Sequence, residues 1–157
     1  LKQHIQNYGV RPDALCFEIS EKVAIANLQT TAQLTTQLHQ LGCKVAIDDF
    51  GSGLSTLNQL KPLAIDYLKI DGTLMKEATA DTVTFSILSA IHQVAQFMNI
   101  QTITKLVENS AVLNTAATIG VDFVQGYRIH PIEPLMTEGS WQDPRHCKTS
   151  VVAKMSA

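Results

Sequence analysis

Five short β-prone runs, each followed by a stretch of helical period, set the narrowest limit on what this 157-residue chain can fold into. The runs are LCFEIS (15–20), KVAIDD (44–49), AIDYLKI (64–70), QTITKLV (101–107) and VDFVQG (121–126). Between the first two, residues 28–41 place Leu34, Leu38 and Leu41 on one helical face before Gly42. STLNQL gives a short helix that must stop before Pro62. Residues 82–98 carry Val83, Ile87, Ile91, Val94 and Met98 on one stripe, which reads as the buried face of a long helix. A last helix starts after Asn109 or Ser110, buries Val112, Leu113 and Ala116, and ends at Gly120. Strands joined by helices pair in parallel through right-handed crossovers, so the fold class is α/β. The opening LKQHIQNYGV looks like the end of a helix closing at Gly9, so the chain is expected to be part of something longer.

The polar residues narrow this further. Glu18, Asp48, Asp49, Lys69, Lys105 and Gln125 all fall late in otherwise apolar runs. In a parallel sheet they converge on the rim at the strands' C-terminal ends. Five contributing strands favour a barrel, because a doubly wound sheet brings together only the strands at its switch point. No GxGxxG or GxxxxGK[ST] loop opens a helix, which removes the usual nucleotide-fold alternatives. A closed (β/α)₈ barrel takes ~250 residues. At 157 residues this chain is therefore expected to supply only part of such a barrel, and its last residues, which keep no sustained period, are expected to form a loosely packed tail.

Chemistry is expected in VAIDDFGSGLSTL, residues 45–57, where an apolar run ends in two adjacent carboxylates and a glycine-bracketed loop. Such a pair repels itself unless a cation offsets it, and an all-oxygen donor set suits Mg²⁺ or Mn²⁺. The plainer alternative is a turn whose aspartates cap the next helix. A net charge of −2 leaves no basic footprint for a nucleic-acid partner. Cys16, Cys43 and Cys147 lack metal-ligand spacing and read as reduced thiols, which fits a cytoplasmic segment, free or belonging to a membrane-anchored protein. His4, His39 and His92 have no spaced partner for metal ligation, and Asp71 reads as a turn residue.

FEISE, DDFGSG, YLKID, LVEN and VQGY, in this order and at these separations, resemble the EAL domain of bacterial cyclic di-GMP signalling over roughly residues 1 to 135. The resemblance implies a TIM-like barrel, of which residues 1–135 would be the C-terminal five or so strand–helix units and 136–157 an extension or tail; its C-terminal rim would bind the cyclic dinucleotide, and, in active members, two Mg²⁺ or Mn²⁺ ions help cut one phosphodiester to give pGpG. Carried over by position, Glu18, Asp48 and Asp49 would be metal ligands and Lys69 the catalytic lysine beside the attacking water. Glu21 would anchor the loop that starts at Phe50, Gly51 and Ser52. Gln125, Gly126 and Glu108 would meet the ligand. Two further family ligands, a glutamate and an asparagine, would lie before residue 1. Implied partners are cyclic di-GMP, other signalling domains such as GGDEF or PAS, and a second EAL domain.

One departure weighs against catalysis. Where the family motif resembles AEGVE, this chain has TKLVE, so Lys105 stands at a metal-binding glutamate. An ammonium there removes a ligand and adds repulsion. The reading that follows is a degenerate domain that binds cyclic di-GMP without cutting it. A metal-dependent phosphodiesterase and a protein-interaction remnant without ligand are the alternatives.

Overall fold

A computed structural model describes residues 1–51, 57–130 and 152–154. The elements are α1 (Lys2–Asn7), β1 (Cys16–Ser20), α2 (Glu21–Ala26), α3 (Leu28–Gln40), β2 (Lys44–Phe50), β3 (Tyr67–Ile70), α4 (Gly72–Glu77), α5 (Thr82–Phe97), β4 (Gln101–Thr104), α6 (Ser110–Ile119), β5 (Phe123–Gln125) and β6 (Val152–Lys154). Short 3₁₀ turns lie at Pro12–Ala14 and Leu57–Leu60. The strands form one sheet in the order β1-β2-β3-β4-β5-β6, parallel from β1 to β5. This is the expected α/β architecture, consistent with part of a barrel.

Alternate residues of each strand divide the work between the two faces. Val45, Ile47, Leu68, Ile70 and Val124 are fully or almost fully buried in two apolar clusters with the helices. The opposite face carries Glu18, Ala46, Lys69, Ile103 and Phe123, aligned by the register pairs Glu18↔Ala46, Lys69↔Ile103 and Ile103↔Phe123. The starts of α4, α5 and α6 are fixed by side-chain caps: Asp71 accepts from the Thr73 N–H, Asp81 from Val83 and Thr84, and Asn109 from Val112.

Four expectations are corrected. The α5 stripe is only partly the buried one: Ile91 and Met98 pack against the core beside the fully buried Leu88 and Ala95, whereas Val83, Ile87 and Val94 are 64%, 54% and 40% exposed. The helix is apolar on two sides, and period alone cannot say which side meets the sheet; small Ala95 and Leu88 allow the closer approach. In α3, Leu34 is exposed and Thr31, Thr35 and Leu38 are buried, because the Thr35 hydroxyl both accepts the Ala64 N–H and donates to the Ala32 carbonyl. The run at 101–107 forms strand only to Thr104, so Lys105 lies just past β4. The C-terminal segment is not all loose extension: Val152–Lys154 pairs antiparallel with β5, setting Val152 opposite Gln125. The rest of that segment, Trp141 included, lies outside the described residues. Among the described residues no helix is long and apolar enough to cross a membrane.

Candidate functional site

Adjacent residues on a strand point to opposite faces, so Asp48 and Asp49 could not share one rim on a regular β2. The strand is irregular there. Its register against β3 shifts between Ile47 and Phe50, and Asp49 takes a left-handed backbone with φ +56°. Aspartate tolerates that conformation better than most residues, and the bulge turns both carboxylates to one side.

Five charges line up there in alternating sign. Lys69, 5% exposed, donates to both Glu18 oxygens at 2.7 Å and lies 3.8 Å from Asp48 Oδ1. Lys105 Nζ lies 2.8 Å from the same Asp48 oxygen and donates to Asp49 Oδ1. Burial pushes the Asp48 carboxyl up, but the Lys105 and Lys69 ammonium groups outweigh it and hold it below the usual range. Burial also pulls Lys105 down, and Asp48 and Asp49 together lift it above an ordinary lysine. Three carboxylates against two ammonium groups leave one net negative charge.

This donor set does not fit a divalent ion. The space on which the two aspartates converge is taken by Lys105 Nζ, and Glu18 is turned to Lys69. Among the described residues no three His, Cys, Asp or Glu side chains are grouped to hold a metal.

The loop after Phe50 is tied from below. Glu21 is 2% exposed, and its Oε2 accepts the Gly51 N–H at 3.2 Å, while Oε1 has no hydrogen-bond partner among the described residues. Burial pushes Glu21 above the usual carboxylate range, the Gly51 N–H works against that, and the nearby Asp49 charge adds to it. Phe50 itself is buried; Ser52 lies outside the described residues.

On β5, Gln125 keeps a buried side-chain oxygen with no partner among the described residues. The close approach that Gly126 permits is to protein backbone: a Cβ there would stand 2.4 Å from the Val107 nitrogen and oxygen. Glu108 is exposed and takes no part in the charge row. Sequence reasoning missed the bulge at Asp49 and the backbone at Leu106, where φ is +55°. The second had a visible signal, since TKLVE places leucine where AEGVE has glycine.

The EAL domain family model matches residues 1–131. The cyclic di-GMP phosphodiesterase PdeB of Shewanella oneidensis is 36% identical over 130 residues, covering 83% of this chain and 15% of that protein. Among solved structures, PaMucR phosphodiesterase in its c-di-GMP complex superposes with a TM-score of 0.78 at 28% identity, covering 85% of this chain and 54% of that one. BlrP1 of Klebsiella pneumoniae, solved as a manganese/cy-diGMP complex, gives a TM-score of 0.75 at 25% identity over 80% of this chain and 32% of that one. The chain thus spans a small part of its relative's length and about half or less of the solved chains. With the family model covering most of the sequence and the strand order just described, the chain belongs to the EAL domain family.

Proposed function

We propose that this domain binds cyclic di-GMP as a receptor and does not hydrolyse it. The observation that carries the reading is Lys105 Nζ seated between Asp48 and Asp49. Replacing a glutamate by lysine changes the local charge by two units, the charge of one divalent ion, so the ammonium offsets the aspartates' repulsion without metal. A protein lysine cannot lower the pKa of a bound water as a divalent ion does, so attacking hydroxide is not supplied. The Gln125 amide, whose oxygen is buried with no partner among the described residues, offers the ligand a hydrogen-bonding group on this rim, and Glu21 fixes the chain at Gly51 where it leaves β2.

The retained Glu18, Asp48, Asp49 and Lys69 favour the second reading, a metal-dependent phosphodiesterase giving pGpG. The exposed α5 residues Val83, Ile87, Ala90, Val94 and Phe97 recur at alternating spacings of four and three, the pattern of a helix–helix seam, and support pairing with a second copy. In a longer protein, adjoining domains of the GGDEF or PAS kind would read ligand occupancy. Calorimetric titration of the intact protein with cyclic di-GMP in EDTA tests the receptor reading. Saturable binding that Mn²⁺ does not strengthen is expected; binding that requires Mn²⁺ overturns it.

A further inference from the structure

Lys105 reaches the aspartates from a loop, and loops place side chains less well than strands do. The loop here is locked by its backbone. Leu106, 54% exposed, takes the left-handed conformation that glycine favours and a bulky side chain resists. Val107, fully buried, donates its N–H to the Gln125 carbonyl at 3.0 Å and accepts the Arg128 N–H at 2.9 Å. Two glycines leave room for this course. A Cβ on Gly72 would stand 2.6 Å from Leu106 Cβ and 2.7 Å from the Lys105 carbonyl oxygen, and one on Gly126 would stand 2.4 Å from the Val107 backbone.

The same device occurs one pair of strands earlier. At the end of β2, Asp49 is left-handed and the next carbonyl, that of Phe50, accepts the Asp71 N–H at 3.0 Å. After β4, Leu106 is left-handed and the next carbonyl, that of Val107, accepts the Arg128 N–H. The likeness extends to the other end of these strands. Asp66 accepts from the Val45 N–H and His39, and Asp122 accepts from the Thr102 N–H and Gln96, at nearly equal sequence spacings. By position, Asp48 corresponds to Lys105 and Lys69 to Gln125.

We propose that this left-handed turn, keyed into Gly72 and Gly126, sets the direction of residue 105, so that Leu106, Gly72 and Gly126 are positioning residues of the cyclic-dinucleotide site. The proposal rests on the receptor reading for its effect on ligand, but the lock itself does not. A residue held this way acts through Lys105, and an error of an ångström in a charged arm is costly to binding.

The test is amine labelling of the intact protein read by mass spectrometry, comparing Lys105 with Lys69, in parallel with cyclic di-GMP titration in EDTA. In Gly126→Ala and Gly72→Ala, Lys105 labelling should rise about tenfold and ligand affinity fall about tenfold, the scale of losing an outer support, while Lys69 labelling stays as in the parent. Leu106→Gly in the Gly72→Ala background removes two of the three close contacts and should return Lys105 part of the way to protection. Unchanged Lys105 labelling in both alanine variants, Lys69 released together with Lys105, or no recovery with Leu106→Gly overturns the lock. Labelling that moves as expected in a protein whose parent does not bind cyclic di-GMP leaves the lock standing and removes the receptor reading; binding by the parent with unmoved labelling does the reverse.

Discussion

Replacing Lys105 by glutamate should make the domain's stability depend on a divalent ion. The substitution removes the ammonium that lies 2.8 Å from Asp48 and in contact with Asp49, and puts a third like charge beside them. The side chains of Lys105 and Asp48 are 19% and 24% exposed and that of Asp49 is 49% exposed. The Asp49 contact is therefore near the surface regime of about 1 kcal/mol or less. The Asp48 contact lies between that and the 3–5 kcal/mol lost when a fully buried pair is broken, say about 2 kcal/mol. Like-charge repulsion adds about 1 kcal/mol at effective dielectric constants near 20 once screening is included. The expected loss is about 3–4 kcal/mol in EDTA, or roughly 6–16 °C in Tm for a chain of this size. With the ammonium gone the carboxylates can take a metal, and Mn²⁺ at about 100 times its Kd should return about 2.7 kcal/mol. Differential scanning fluorimetry of parent and Lys105→Glu, each with EDTA or Mn²⁺, reads all four states. A Lys105→Glu Tm equal to the parent's in EDTA would refute the counter-ion argument, and so would a parent stabilised by Mn²⁺ as strongly as the variant.

Other consequences can be read separately. Burial alone would raise Asp66, but hydrogen bonds from Lys44, the Val45 N–H and His39 hold it below the usual carboxylate range. A depressed folded pKa means stability that is present above the unfolded value near 3.9 and lost as pH falls through the folded one. Asp66→Asn should thus cost about 1–2 kcal/mol at pH 7 and flatten the acid limb of a Tm-against-pH curve; an unchanged acid limb contradicts this. Glu21→Ala should speed amide exchange at Gly51 and weaken cyclic di-GMP binding while leaving Val45 protected, and unchanged exchange at Gly51 would remove its anchoring role. Ile87→Glu should shift a self-associating parent to monomer in sedimentation velocity, and a parent that is already monomeric, or a variant that stays associated, argues against the α5 seam.

The parts of this molecule set by short-range pattern could be read from the sequence. The five parallel strands follow from apolar runs alternating with helical periods, and Asn109 and Asp71 were readable as cap and turn because their side chains bond a backbone N–H two or three residues on. Strand ends were less legible: the run at 101–107 stays β-prone beyond Thr104, and only the left-handed Leu106 shows where pairing stops. The buried side of α5 was legible at Ile91 and Met98 but not at Leu88 and Ala95, because two apolar stripes share one period and the choice depends on how closely the helix sits on the sheet. The convergence of Asp48 and Asp49 depends on a bulge that strand alternation argues against. Pairing of Val152–Lys154 with β5 is a long-range contact that a segment lacking period does not announce.

Product formation tests the central claim most directly. Intact protein incubated with cyclic di-GMP and Mn²⁺ should release no pGpG above the metal-only background, whereas Lys105→Glu should release more than the parent. Metal-dependent pGpG formation by the parent, at a rate that Lys105→Glu does not raise, would make the lysine incidental to the chemistry and replace the receptor with a hydrolase.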